Sequence, residues 1–169
     1  MNLKYLLIIL FTLLFQSSFG AAPKVESKAL TMVPKGRIVL INFREVTLKT
    51  ESGTKVELEF ERQGTLQEAS GLNLNRGDEF EPGQGLMSLS SVAQKVTKAG
   101  HPIKGEWKLE KDDQYGWVYE LAEDKDDQKV YHIVNAKTGK LINSVDVPSS
   151  GSLVPETSLR LRHQAAVSL

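Results

Sequence analysis

The residue types that could carry out chemistry in this chain are few and widely spaced. Histidine occurs only as His101, His132 and His163, and cysteine is absent. An imidazole can act as a general base or as a metal ligand, but these three fall in different predicted elements. We therefore expect structural or exposed roles for them rather than a shared catalytic or metal site. The lack of cysteine excludes thiol catalysis and disulfide bonds.

Sequence motifs that hold catalytic groups in place are absent as well. The chain has no Gly-x-Ser-x-Gly turn, no His-Glu-x-x-His helix and no glycine-rich phosphate loop. The acidic run at residues 124–127 lacks the glycine and the distal glutamate of a calcium-binding loop, so it is predicted to be a solvated hairpin loop. The sequence therefore predicts a protein that is not an enzyme and that binds no metal or cofactor.

The N-terminal residues predict a secretory signal peptide. Residues 1–4 carry one positive charge, residues 5–15 are apolar, and small or polar residues follow. The apolar run is about half of the roughly 20 residues that a membrane-spanning helix needs. Cleavage is predicted after Gly20, because Ser18 and Gly20 are small. The mature protein is expected to be secreted or periplasmic, without a stable membrane anchor.

The charge balance argues against one class of partner. The chain has 21 lysine and arginine residues and 21 aspartate and glutamate residues, so its formal net charge is zero. Proteins that bind nucleic acid usually carry a basic surface that matches the phosphate backbone. The composition therefore predicts no nucleic-acid partner.

The first half of the mature chain is predicted to be rich in β-structure. After a polar lead at residues 21–35, a small β module is predicted at residues 36–83. Its clearest strand-like runs lie at residues 37–43, 46–50 and 55–61. The last run alternates strictly, which places Val56, Leu58 and Phe60 on one face. This order of short strands resembles the small β-barrels of bacterial envelope proteins and predicts an antiparallel barrel or sheet.

The second half is predicted to form one helix followed by an antiparallel meander. Ser88 is a suitable N-cap, and Gly100 ends the helix. The residues between them have an apolar stripe at helical spacing, formed by Leu89, Val92, Ala93 and Val96. Strand-like runs follow at residues 103–109, 115–122, 129–135 and 141–145. Because so small a sheet cannot bury its apolar face alone, the helix is predicted to pack on it, giving an α+β fold.

The same half carries a resemblance to a known family. The helix ending at Ala99-Gly100, the strand at residues 117–121 and the sequence Tyr-His-Ile-Val-Asn-Ala-Lys-Thr-Gly-Lys-Leu at residues 131–141 resemble a PepSY domain over about residues 86–147. Asn135 stands where this family usually has aspartate, and asparagine can make similar hydrogen bonds to a turn backbone. The resemblance implies an extracytoplasmic binding or inhibitory module of the kind found in protease propeptides, and not a catalyst.

Aromatic side chains in this half are candidates for partner contacts. Tryptophan and tyrosine are favoured anchors at interfaces, and we single out Trp107 and Tyr115 as partner-binding residues. A free edge of the sheet could instead accept a strand from a partner. Residues 148–169 open with a Ser-Gly-rich stretch and are predicted to be a flexible tail.

The function predicted from these features is non-covalent binding of a secreted or envelope protein, including inhibition of a protease in trans. Two alternatives stay open. The chain could be an extracytoplasmic sensor of a small ligand or ion, or a structural protein that self-assembles in the envelope. Binding predicts capture of a protein partner, sensing predicts a stability shift with a small molecule, and assembly predicts concentration-dependent oligomers.

Overall fold

Eight strands form one antiparallel sheet in this computed structural model, which describes residues 25–72, 78–125 and 128–148. The strands lie side by side in chain order, from β1 at one edge to β8 at the other. Their bounds are β1 Arg37–Asn42, β2 Glu45–Lys49, β3 Lys55–Phe60, β4 Leu66–Leu72, β5 Glu106–Asp112, β6 Gly116–Lys125, β7 Gln128–Asn135 and β8 Leu141–Pro148. Two helices, α1 Val25–Met32 and α2 Leu89–Lys98, complete the α+β fold.

The pairing of β4 with β5 makes the sheet continuous across the boundary predicted between the two halves. Ala69 pairs with Leu109, and Gly71 pairs with Trp107. The first half is thus part of an open sheet rather than a closed barrel, since β1 and β8 lie at opposite edges. The strands of the two predicted modules share one hydrogen-bonded sheet.

Both helices contribute side chains to a single apolar cluster on one face of the sheet. Ala29 of α1 and the α2 residues Leu89, Val92 and Val96 are buried together with core residues of β2 to β6. The apolar stripe predicted at residues 89–96 therefore faces the core, as expected for an amphipathic helix. It packs in a core that extends beyond the strands of its own half.

The local signals predicted for α2 are present. Ser88 is the N-cap, and its hydroxyl accepts a hydrogen bond from the Ser91 amide at 3.3 Å. Gly100 follows the helix with φ of 99°, a conformation that glycine adopts without a steric penalty. Cap and stop together fix where this helix begins and ends.

Helix α1 differs from the predicted polar lead. It lies in the segment 21–35, and only Ala29 within it is fully buried. Val25, Ala29 and Met32 lie at helical spacing and pack on the core, but eight residues are too short a run for this stripe to be recognised in the sequence. Tertiary packing against β1 and β2 supports this helix.

Two predicted segments lie largely outside the described residues. The signal peptide at residues 1–20 lies entirely outside them. Of the predicted tail, only Pro148 is described, as the last residue of β8.

Candidate functional site

The β1–β2 hairpin presents an exposed apolar surface at one edge of the sheet. Val39, Leu40 and Ile41 are 43%, 60% and 42% exposed, and Phe43 is 85% exposed. Among the described residues, β1 pairs only with β2, so its outer hydrogen-bonding groups face away from the sheet. An exposed edge strand with apolar side chains is a template for pairing with another chain.

Phe43 holds an unusual backbone conformation at the tip of this hairpin. Asn42 pairs with Glu45, which leaves Phe43 and Arg44 as a two-residue loop. The φ of Phe43 is 55°, in the left-handed region where a bulky side chain is disfavoured. The Arg44 guanidinium lies 5.5 Å from the ring centroid. The chain thus places its most exposed large apolar side chain where glycine would be sterically favoured.

The turn after β7 is held by the Asn135 side chain. Its Oδ1 accepts hydrogen bonds from the amides of Lys137 and Thr138 at 3.1 and 3.0 Å, and from the Thr138 hydroxyl at 3.0 Å. The Lys95 ammonium group on α2 donates to the Thr138 carbonyl oxygen at 2.9 Å. A β-carbon added at Gly139 would lie 2.7 Å from Lys95 Cδ. The turn therefore packs closely against α2 and has a structural function in this arrangement.

The sequence Lys-Thr-Gly-Lys is thus explained by local geometry. The Asn135 amide oxygen accepts three hydrogen bonds, and these are the hydrogen bonds that an aspartate carboxylate would accept in the same turn. Met87 just before α2 also donates its amide to the Ala136 carbonyl oxygen at 2.8 Å. These bonds connect the turn to both the helix and its entry segment.

Of the two residues predicted to bind a partner, one is buried and one is half-buried. Trp107 is 4% exposed in the main core, and its ring lies 4.9 Å from the Phe80 ring. Its neighbour across the ladder is Gly71, whose missing side chain leaves room for the indole. Trp107 is therefore a core residue, because the space left by the glycine accepts its large ring. It offers no surface for a partner. Tyr115 packs beside the small second cluster of Val118 and Ile133, and its partner role stays a prediction.

Two of the three histidines meet at one end of the sheet, contrary to the expectation that they lie apart. His132 Nε2 lies 2.8 Å from Glu123 Oε2, and His101 Nδ1 lies 3.5 Å from the same oxygen. The two imidazole centroids are 4.4 Å apart. His132 also contacts the Ser144 hydroxyl through Nδ1 at 2.8 Å. His163 lies outside the described residues.

These groups escaped sequence analysis because only the fold brings them together. His101 follows the end of α2, Glu123 is near the end of β6, and His132 is in the middle of β7. The β6–β7 register pairs Leu121 with His132, so Glu123 is two residues along on the same face. The sequence did contain a signal for this cluster. One face of β6 is apolar up to a glutamate near its end, and β7, the other strand of the same hairpin, contains a histidine.

The face of the sheet opposite the helices carries charged side chains. Lys108 Nζ lies 3.0 Å from Glu68 Oε2 and 2.8 Å from Glu110 Oε2. Burial alone would lower the pKa of Lys108, but the hydrogen bonds and charges of Glu110 and Glu68 raise it above its ordinary value. Paired charges therefore connect β4 and β5 on this face, and the small apolar cluster of Val118 and Ile133 lies on the same face at β6 and β7.

Tyr119 joins the core to the segment before α2. Its hydroxyl donates to the Met87 carbonyl oxygen at 2.9 Å, and burial raises the pKa of its phenol. A neutral phenol in this position is a structural donor, not a group poised for proton transfer near neutral pH.

Comparison with known families identifies the second half of the chain. Residues 87–145 match the family model of PepSY, described as the peptidase propeptide and YPEB domain. This segment is similar to a PepSY domain. It contains α2, the strands β5 to β7, the Asn135 turn and most of β8. PepSY domains are in general extracytoplasmic modules that interact with proteins such as peptidases and do not catalyse reactions.

Two solved structures are similar to part of this chain at low sequence identity. One is a candidate lipoprotein from Clostridium difficile 630, at 12% identity and a TM-score of 0.36, covering 73% of this chain and 88% of that one. The other is a BLIP-like protein from Bacteroides fragilis NCTC 9343, at 9% identity and a TM-score of 0.36, covering 84% of this chain and 99% of that one.

The search of curated proteins found no match. Within the described residues, neither helix is both long enough and apolar enough to cross a membrane.

Proposed function

We propose that this chain is an extracytoplasmic protein-binding module that uses strand β1 to bind an extended segment of a secreted or periplasmic protein. A peptidase inhibited in trans is the specific form of this proposal. Signal-peptide cleavage after Gly20 and the division at residues 83–86 belong to the same proposal. The single observation that carries it is the exposed apolar β1 edge with Phe43 at its tip.

The edge of β1 offers both parts of a strand-addition site. Its outer backbone groups supply hydrogen bonds without regard to sequence, and its apolar side chains supply selectivity. Leu40 pairs with Thr47 and Ile41 pairs with Val46, so apolar side chains lie on both faces of the edge, and Val39 lies at a register shift between Ile38 and Leu40. Monomeric proteins rarely leave such contiguous apolar surface in water unless it binds something.

The conformation of Phe43 supports a binding role independently. A phenylalanine with positive φ costs conformational energy, and an exposed ring gains nothing from the hydrophobic effect. Strained residues of this kind cluster at ligand-binding positions. Burial of this ring by a partner would add the hydrophobic free energy that the exposed ring does not contribute in the unbound protein.

The PepSY match supports the class of partner. The family description includes peptidase propeptides, whose segments contact a peptidase. A peptidase outside the cytoplasm is therefore the partner that we put first.

The experiment compares matched single-lysine variants as baits. Residues 21–169 are produced as wild type, as Leu40→Lys and as Gln67→Lys, then crosslinked in envelope extract, and captured proteins are quantified. Gln67 is exposed on β4, away from the sheet edge, so its variant adds the same charge elsewhere. We expect a partner that wild type and Gln67→Lys retain and that Leu40→Lys loses at least tenfold. Equal capture by all three baits would overturn the role of β1.

The purified partner then tests the peptidase form of the proposal. We expect its peptidase activity to fall as wild type is added and to be unaffected by Leu40→Lys. Light scattering distinguishes binding of a partner from self-assembly. If the wild type forms a concentration-dependent oligomer and Leu40→Lys does not, a second copy of this chain is the occupant of the edge. That outcome would replace the proposal by the structural alternative.

A further inference from the structure

We propose that His101, Glu123 and His132 bind a divalent transition-metal ion, with Zn²⁺ as the best fit. This site is separate from the β1 edge and does not depend on the function proposed for that edge. The geometry that supports it is the convergence of two imidazole nitrogens and one carboxylate oxygen, all within 4.8 Å of one another.

The distances suit a tetrahedral ion after small side-chain movements. Zinc bonds to imidazole nitrogen and carboxylate oxygen are roughly 2.0–2.2 Å long, so neighbouring ligand atoms of a tetrahedron are about 3.3–3.5 Å apart. Here His101 Nδ1 lies 3.5 Å and His132 Nε2 lies 2.8 Å from Glu123 Oε2. Separation of the second pair by about half an ångström, together with closer approach of the two imidazole nitrogens, which lie within 4.8 Å of each other, would complete the tetrahedral geometry.

The burial of the cluster is difficult to explain by packing alone. His132 is 1% exposed, and Glu123 is 8% exposed, on the face of the sheet that carries the core. A buried carboxylate is costly unless a positive charge or several donors compensate it. Among the described residues, the partners of the Glu123 carboxylate are the two imidazoles, with no lysine or arginine in ion-pair contact. A divalent cation between these groups would supply the missing charge.

The Ser144 hydroxyl orients His132 as an outer-shell partner would. It contacts Nδ1 at 2.8 Å, which leaves Nε2 directed at Glu123. Metal-binding histidines commonly have their second ring nitrogen held in this way, which fixes both the tautomer and the ring orientation. The ring of His132 is therefore preorganised, and the site needs no large rearrangement to bind an ion.

The donor set also determines which ion the site would select. Imidazole nitrogen favours zinc and other late transition metals, whereas calcium and magnesium require oxygen ligands. Three protein ligands leave one position of a tetrahedron open, and the half-exposed His101 side chain, at 35%, leaves a path to solvent. A bound ion would carry water or an external ligand at that position.

Zinc binding to the metal-free full-length mature chain tests the proposal. We expect isothermal titration calorimetry with Zn²⁺ to give one site per chain, and Co²⁺ to give the visible absorption of a tetrahedral ion. Zn²⁺ should also raise the melting temperature by several degrees, because it binds the folded chain and not the unfolded one. Absence of a one-to-one site in the wild-type chain would overturn the inference.

Matched histidine variants locate the ion. His101→Ala should lower Zn²⁺ affinity at least 30-fold and abolish the cobalt spectrum while the protein stays folded, since His101 is the least buried ligand. His163→Ala should bind zinc as wild type does. If His101→Ala binds as tightly as wild type, or if His163→Ala loses the site, the proposed ligand set is wrong. Leu40→Lys should keep full zinc binding, which separates this site from the β1 edge.

Discussion

At the scale of single residues, Asn135 shows how one side chain can hold a turn. Its amide oxygen accepts two backbone hydrogen bonds and one from a hydroxyl. Its amide nitrogen donates to the Tyr115 carbonyl oxygen at 3.4 Å, a longer and weaker contact. The oxygen therefore contributes more to the turn than the nitrogen does.

Two substitutions at Asn135 separate these contributions. Asn135→Ala should lower the free energy of unfolding by about 1–2 kcal/mol, because three hydrogen bonds lose their acceptor at an exposed site. Asn135→Asp keeps the acceptor and should change stability by no more than about 0.5 kcal/mol. Urea denaturation measures both values. Equal destabilisation by the two variants would show that the nitrogen donor holds the turn.

At the scale of elements, the junction of β4 and β5 decides whether the two halves of the chain fold together. Gly71 lies opposite Trp107, and a β-carbon there would come within 2.7 Å of the indole Nε1. The indole also contacts Phe80 in the segment that leads to α2. A change at this one glycine therefore affects both sides of the junction.

Gly71→Ala should destabilise the protein by about 1–3 kcal/mol, because the added methyl group displaces the tryptophan ring from a packed core. Ser70→Ala, one residue earlier on the opposite face, is the control and should have an effect below about 1 kcal/mol. Thermal unfolding followed by differential scanning calorimetry measures the shift. Separate transitions for the two halves in Gly71→Ala would show that the junction couples them, whereas an unchanged single transition would show that the ring has room to move.

At the scale of the whole molecule, Asp78 links acid stability to the packing of the loop after β4. The Ser52 hydroxyl donates to Asp78 Oδ2 at 2.6 Å. Burial alone would raise the pKa of the Asp78 carboxyl, but hydrogen bonds from Ser52, Thr50 and Thr54 lower it below its ordinary value. The folded state therefore favours the ionised carboxyl more than the unfolded chain does.

This depressed pKa gives a signed pH dependence. The contribution of Asp78 to stability is complete above the unfolded pKa of about 3.9 and is lost as the pH falls through the folded pKa. Asp78→Asn should therefore be less stable than wild type at pH 6, and the difference should shrink between pH 4 and pH 2. Denaturant titrations across this range measure it. A difference that is constant with pH would assign the effect to hydrogen bonding alone.

Local patterns predicted the elements whose signals are periodic or positional. Helix α2 follows from its cap, its apolar stripe and Gly100, and β3 follows from strict alternation. The Asn135 turn was found through the family resemblance. In these cases the residues that specify the element are neighbours in the sequence.

The rest depends on contacts between distant segments. Helix α1 has an apolar stripe of only eight residues, and it is supported by packing against β1 and β2. The approach of His101 to His132 depends on the end of α2 lying over β6 and β7. Trp107 was singled out as a partner contact because tryptophan is favoured at interfaces as well as in cores, and the glycine opposite it in the ladder is what makes room for its ring in the core.

The order of strands in the sheet has a mechanical consequence. Each strand is hydrogen-bonded only to the strands that precede and follow it in the chain, and the first and last strands lie at opposite edges. A force that pulls the two ends of the described sheet apart would load β1 and β8 and would open the ladders one pair at a time. The sheet would then unzip at low force instead of rupturing as a unit.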